Sequence, residues 1–195
     1  MHDPEKLPDD LPAPQDDGAA RHLTGLPLPE VTLPATDGRM VALGDLDGRT
    51  IVYAYPRTGV PGRPSPDGWD AIPGARGCTP QACAFRDHHD ELRHLGVSEL
   101  FGLSTQDTGY QQEAVGRLHL PFALLSDAEL RLAGALELPT FDVDGRGRRE
   151  TLLKRLTLVI DDGFITKVFY PVFPPDQNAA DVMTWLEDNE TSNRK

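Results

Sequence analysis

The stretch "GCTPQACAFRDHHDELRHLG", Gly77 to Gly96, decides how the chain is read. Thr79 is a capping residue, and Pro80 suits the first helical position. Ala82, Phe85, His89, Leu92 and Leu95 recur at roughly helical spacing, and Gly96 is a stop signal. The pattern predicts one helix that ends at Gly96. The same stretch holds both cysteines of the chain, Cys78 and Cys83, five positions apart, with Cys78 immediately before the predicted helix start.

Upstream, "IVYAY" (Ile51 to Tyr55) is a continuous β-branched and aromatic run, as expected of a central strand covered on both faces. Between it and the helix lie residues 56–77, with five prolines and five glycines; a loop of this length inside a domain is usually functional or disordered. Still earlier, "LPEVTLPATDGRMVAL" places Asp37-Gly38 between two β-prone runs and predicts an N-terminal hairpin. Downstream, "ELFGL" (strand), "DTGYQQEAVGRL" (helix), "FALL" (strand) and "SDAELRLAGAL" (helix) alternate. "RLTLVIDDGFITKVFY" then predicts an antiparallel hairpin, because Asp161, Asp162 and Gly163 are too short a link for a parallel crossover. A last helix is expected from about Asp176 to Asn189. The class is α/β, a sheet with helices laid across it.

The 195 residues suit one domain with appendages. Residues 1–22 carry four prolines and six acidic side chains, the composition of a disordered tail; the domain is expected over 23–189 and a polar tail over 190–195. A net charge of -12 repels phosphate backbones and anionic lipid, which argues against nucleic acid and membrane partners. No apolar run approaches the roughly 20 residues of a spanning helix, and the N-terminus lacks the order of a secretory signal. The expected location is the cytoplasm, where two nearby cysteines suggest redox chemistry or metal binding before scaffolding.

At a helix start, unpaired N–H groups and the helix dipole favour the thiolate of Cys78 over its thiol; the neighbouring Arg76 is open to two readings, a source of positive field or a solvated side chain without a role. Cys83 would stand about 8 Å from Cys78 between Cα atoms along an intact helix. A disulfide needs about 4.4–6.8 Å, so any bridge between them requires the first turn or two to unwind. This fits a thiolate that is oxidised to sulfenic acid and resolved by a second thiol. Two other readings stand beside it: inert buried cysteines, and a metal site completed by His88, His89 and His94.

In these motifs the chain resembles the peroxiredoxins, in particular the bacterioferritin comigratory protein class. The likeness runs from about Leu23 to Leu186, through "LPATDGRMVALGDLDGRTIVYAYPR", "GCTPQACAFRD", "FGLSTQDTGYQQ", "LPFALLSD" and "RLTLVIDDGFITKV". The resemblance implies a thioredoxin-like fold with a central mixed sheet flanked by helices. It implies that Cys78 is the peroxidatic cysteine, Cys83 the resolving one, and Arg155 the arginine that steadies thiolate and peroxide. The implied activity is reduction of hydrogen peroxide and organic hydroperoxides without metal, haem or flavin, with a thioredoxin-like donor reducing the disulfide; a monomer is favoured. The rival readings are a thiol-disulfide oxidoreductase, which would more naturally show C-x-x-C, and a non-catalytic redox sensor or interaction protein.

One departure stands out. The family pattern Pro-x-x-x-Thr-x-x-Cys is here Ala71 and Ala75 before Cys78, and neither methyl group can bond a peroxide. Pro56 and Thr58 in "YPRTG" sit beyond the 56–77 insertion. The expectation is that the loop folds back to return the Thr58 hydroxyl to the site with Trp69 covering it. The alternative is that Thr58 caps a turn, Trp69 anchors the loop, and a backbone N–H serves the peroxide.

Overall fold

In a computed structural model, which describes residues 7, 11–62, 64–145 and 148–193, the sheet is organised around β3 (Arg49–Ala54). Side chains alternate across a strand, and here both faces are covered. Ile51, Tyr53 and Tyr55 enter one hydrophobic cluster, while Val52 and Ala54 enter the other. A run with no polar alternation is the sequence record of that position.

Ahead of it, β1 (Thr32–Pro34) and β2 (Met40–Ala42) pair antiparallel about Asp37-Gly38, as the turn dipeptide predicts. After it come α1 (Cys78–Asp87), α2 (His89–His94), β4 (Val97–Ser104) and α3 (Thr108–Leu118). The chain continues through β5 (Leu124–Ser126), α4 (Arg131–Leu136), β6 (Thr140–Gly145) and β7 (Arg148–Leu153). It closes with β8 (Leu156–Asp161), β9 (Phe164–Phe169) and α5 (Asn178–Asn193). The five-stranded sheet has the order β5-β4-β3-β8-β9. β4 runs parallel to β3 and β5, whereas β8 is antiparallel to both β3 and β9, so the sheet is mixed. Helices α1, α2, α3 and α5 cover one face through Phe85, Leu92, Ala114, Leu118, Val182 and Leu186. The hairpin and α4 cover the other through Leu33, Val41, Leu132 and Leu136.

Four sequence expectations change. The helix expected to run unbroken to Gly96 starts two residues early, at Cys78 with Gly77 as its cap, and is divided at His88, whose φ of -100° and ψ of 12° leave the helical region. The hydrogen bonds from His88 N to Ala84 O and from Leu92 N to His88 O continue across the break, so the two segments stay joined by backbone bonds. The hairpin β6–β7 was not anticipated. Its strands mix charged and apolar residues, and among the described residues its buried side chains are Val143, Leu152 and Leu153. Third, the tail expected to be disordered over 1–22 is held to the body in its last part. Asp17 bonds Lys154 Nζ at 2.6 Å and Tyr170 Oη at 2.7 Å, His22 bonds the Leu136 carbonyl, and Ala20 is buried. These partners lie far along the chain, where composition does not reach. Residues 1–6 and 8–10 of that expectation lie outside the described residues. At the other end α5 continues to Asn193, past the expected stop at Asn189.

Candidate active site

Cys78 opens α1, with Gly77 as its N-cap at φ 103°. Only glycine suits that left-handed backbone without strain, and the space is closed as well: a Cβ at Gly77 would lie 2.6 Å from Pro175 Cγ. The first-turn N–H groups of Cys78 and Thr79 have no carbonyl one turn behind them. Pro80, at the third helical position, contributes no donor there and loses none.

Arg155, between β7 and β8, reaches the same point from the opposite side. Its Nη2 lies 3.2 Å from Cys78 Sγ and also donates to the carbonyls of Gly74, Ala75 and Arg76 at 3.2–3.3 Å. Its Nη1 donates to Gln81 Oε1. Gln81 is fully buried one turn after Cys78 and donates to Asn178 Oδ1 at 2.9 Å, which also accepts from Thr157 at 2.7 Å. A buried cation is therefore aimed at the sulfur by a polar network that joins α1, β8 and α5. Arg155 was named by the family resemblance alone, whereas Gln81, Thr157 and Asn178 were not singled out in the sequence. The signal for Gln81 was a polar residue three places after Cys78 on a helix face that otherwise buries.

Cys78 is 5% exposed, yet it lines a cavity of about 660 Å³ together with Thr79, Pro80 and the insertion loop. Cys78 is thus recessed in the wall of that cavity. Cys83, also buried, lies one turn and a half further along α1, and no disulfide links the two. Among the described residues no three His, Cys, Asp or Glu side chains gather as a metal group, so the histidines of α1–α2 do not build the alternative metal site.

Thr58 is placed differently from the expectation. Its hydroxyl donates to Gln106 Oε1 at 3.2 Å, its N–H to the same oxygen at 2.9 Å, and its carbonyl accepts from Gln106 Nε2 and the Tyr110 hydroxyl. These bonds turn it into the body of the protein, while its neighbours Arg57 and Gly59 line the Cys78 cavity. The loop therefore does fold back, but with Thr58 as its anchor. Trp69 also anchors: it packs on Phe141 at 6.4 Å between ring centroids and joins Ala75, Val143 and Leu152 in a small cluster. It lines the cavity as well. Ala75, where the family pattern has threonine, is fully buried in that cluster.

A family model described as Redoxin matches residues 23–183. The chain is 32% identical over 167 residues to Peroxiredoxin Bcp of Escherichia coli (strain K12), a match covering 83% of this chain and 93% of that protein. It is 32% identical over 165 residues, 84% of its length, to the chloroplastic Peroxiredoxin Q of Oryza sativa subsp. japonica, and spans 66% of that longer relative. The crystal structure of Peroxidoxin BcpB from Mycobacterium tuberculosis superposes with a TM-score of 0.65 at 26% identity, over 85% of this chain and 96% of that one. With the thioredoxin-like architecture and the Cys78 helix start, these matches place the chain among the peroxiredoxins of the bacterioferritin comigratory protein class.

Proposed function

We propose that the protein is a thiol-dependent peroxidase in which Cys78 is the peroxidatic and Cys83 the resolving cysteine. The observation that carries the reading is the buried Arg155 guanidinium 3.2 Å from Cys78 Sγ at a helix N-terminus. The guanidinium and the first-turn N–H groups both stand ready for negative charge that moves onto peroxide oxygen in the transition state.

The thiolate of Cys78 attacks the distal oxygen of a hydroperoxide. An S–O bond forms, the O–O bond breaks, and the leaving alkoxide or hydroxide takes a proton to depart as alcohol or water. Cys78 is left as sulfenic acid. Arg155 positions the peroxide and balances charge; the N–H groups of Cys78 and Thr79 supply the donors that the absent threonine hydroxyl would otherwise provide. The first turns of α1 then unwind, the Cys83 thiol attacks the Cys78 sulfur, and water leaves as the S–S bond forms. An external dithiol of thioredoxin type, oxidised in turn, restores both thiols. The site needs no metal or organic cofactor for this sequence. We place it in the cytoplasm as a monomer; no helix among the described residues is long and apolar enough to cross a membrane.

The test is to mix the reduced protein with one equivalent of hydrogen peroxide in a stopped-flow instrument and to map the products by mass spectrometry. Rapid oxidation at Cys78 and a Cys78–Cys83 bridge are expected, with repeated turnover when a dithiol is supplied. Slow oxidation without the bridge would support a sensor or interaction role instead.

A further inference from the structure

The turn that precedes Cys78 is gripped by the chain's own N-terminal segment. A Cβ built at Gly74 would lie 3.4 Å from Pro14 Cγ, and one built at Gly77 would lie 3.0 Å from Leu7 Cδ2 as well as 2.6 Å from Pro175 Cγ. Leu7 and Pro175 thus both pack against the residue that caps α1. Leu7, Leu11, Pro12 and Pro14 are half-buried, whereas Ala13 and residues 15–17 are exposed. Residues 11–17 form neither helix nor strand, so contact with the body is what holds them.

Asp17 is the pin at the end of this stretch. Its carboxylate accepts from Lys154 Nζ at 2.6 Å and from Tyr170 Oη at 2.7 Å. Lys154 is the chain neighbour of Arg155, whose Nη2 donates to the carbonyls of Gly74, Ala75 and Arg76. A cavity of about 220 Å³ is walled by Pro14 and Gln15 together with Pro73, Gly74, Arg155 and Tyr170. The N-terminal stretch and Arg155 therefore meet the same turn, Gly74 to Gly77.

These contacts belong to one shape of that turn. Along an intact helix the Cα atoms of Cys78 and Cys83 stand about 8 Å apart, beyond the roughly 4.4–6.8 Å of a disulfide. Forming the bridge unwinds the first turns of α1, and Gly77, as their cap, moves with them. The seat of Leu7 on Gly77 is then lost, and that of Pro14 on Gly74 loosens with it. A contact made in one state and missing from the other shifts the balance between them, and the coupling is reciprocal.

Building on the peroxidase reading, we propose that Leu7 and residues 11–17 form a redox-sensitive strap, which holds the turn before Cys78 in the dithiol protein and comes away when the Cys78–Cys83 bridge forms. The covalent steps are those of the cycle: peroxide oxidises the Cys78 sulfur, and Cys83 then displaces water from the sulfenic acid. No bond is made or broken in the strap. It lengthens the life of the sulfenic acid, eases the return of the disulfide to the dithiol, and is set free in the bridged form.

The first test needs no substitution. Full-length protein is prepared as the dithiol and as the Cys78–Cys83 disulfide, and each is treated with endoproteinase Asp-N, which cuts before Asp16 and Asp17 once the backbone can enter its cleft. Cleavage there should be about 5-fold or more faster in the disulfide, because cutting follows the population of the detached state. The second test uses L7A/P14A in the full chain. Oxidation of Cys78 by hydrogen peroxide should stay within about 2-fold of wild type, whereas the bridge should then form about 3-fold or more faster. At equilibrium with a dithiothreitol redox buffer, the variant's disulfide should be favoured about 3-fold or more over that of wild type. Equal cleavage of the two forms, or a redox equilibrium that the substitutions leave unchanged, overturns the inference. If peroxide leaves Cys78 unoxidised, the peroxidase reading fails instead. The bridge is then made with diamide, which takes up the two thiol hydrogens, and the same comparisons decide the strap.

Discussion

Nη2 of Arg155 lies 3.2 Å from the sulfur of Cys78, and the same nitrogen gathers the carbonyls of Gly74, Ala75 and Arg76. One buried side chain thus shapes the turn before the helix and faces the atom at its start. Replacing it with alanine removes the cation and leaves those carbonyls without it. Arg155→Ala should slow single-turnover oxidation of Cys78 about 100-fold or more, by analogy with loss of one transition-state donor. Alkylation of Cys78 by iodoacetamide at neutral pH should slow in parallel, because the attacking sulfur loses the cation beside it. Arg155→Lys should recover only part of either rate, since an ammonium lacks the planar fork. Unchanged alkylation and oxidation in Arg155→Ala would remove the arginine from the mechanism.

Thr58 gives a contrasting expectation. Its N–H and carbonyl bonds to Gln106 survive replacement by valine, and only the hydroxyl bond at 3.2 Å is lost. Thr58→Val should cost about 1 kcal/mol of stability in urea unfolding and leave the rate of peroxide oxidation within about 2-fold. A drop of an order of magnitude in rate with a native fold would return the hydroxyl to the chemistry.

Cys83 should matter only after the peroxide step. In Cys83→Ser the first oxidation of Cys78 should proceed at the wild-type rate, and the sulfenic acid should persist long enough to be trapped by dimedone. The wild type should instead yield the intramolecular bridge and little trapped product. Equal trapping in both proteins would deny Cys83 its resolving role.

Gly77 is fixed by both conformation and contact. A methyl group there meets Pro175 at 2.6 Å with φ at 103°. Gly77→Ala should lower unfolding stability by about 2 kcal/mol or more. It should also slow Cys78 oxidation, since the cap sets the direction of the first turn. A stability equal to that of the wild type would show that the junction is looser than its geometry indicates.

Asp17 supplies a pH signature. Hydrogen bonds from Lys154 and then Tyr170 hold its carboxyl well below the usual value of 3.8. A depressed carboxylate adds attachment in full above its unfolded value and loses it as pH falls through the lower folded one. Hydrogen exchange of the amides of residues 18–25 should therefore be slower in wild type than in Asp17→Asn at neutral pH, with the gap closing below about pH 4. No gap at any pH would mean that the Asp17 contacts do not hold the segment.

Elements with strong local signatures were legible from the chain itself. The apolar run of β3, the Asp37-Gly38 hairpin and the turn at Asp162-Gly163 each depend on neighbours within a few residues. The Cys78 helix start was legible for the same reason. What escaped depends on distant partners. Thr58 is set by Gln106, 48 positions away, and Asp17 by Lys154 and Tyr170. The β6–β7 hairpin alternates charged and apolar residues too irregularly for its period to stand out. It supplies Phe141, Val143 and Leu152, on which Trp69 rests. The wall of the cavity is therefore readable only once the hairpin is in place.

Gln81 clasps Arg155 with one end and Asn178 with the other. The first coil of α1 is thereby tied to the last helix of the chain. In the proposed cycle, bringing the two sulfurs together would prise open this clasp, so closing the bridge would also slacken the hold on the C-terminal helix, and the oxidised protein would begin each reduction with that helix less firmly seated.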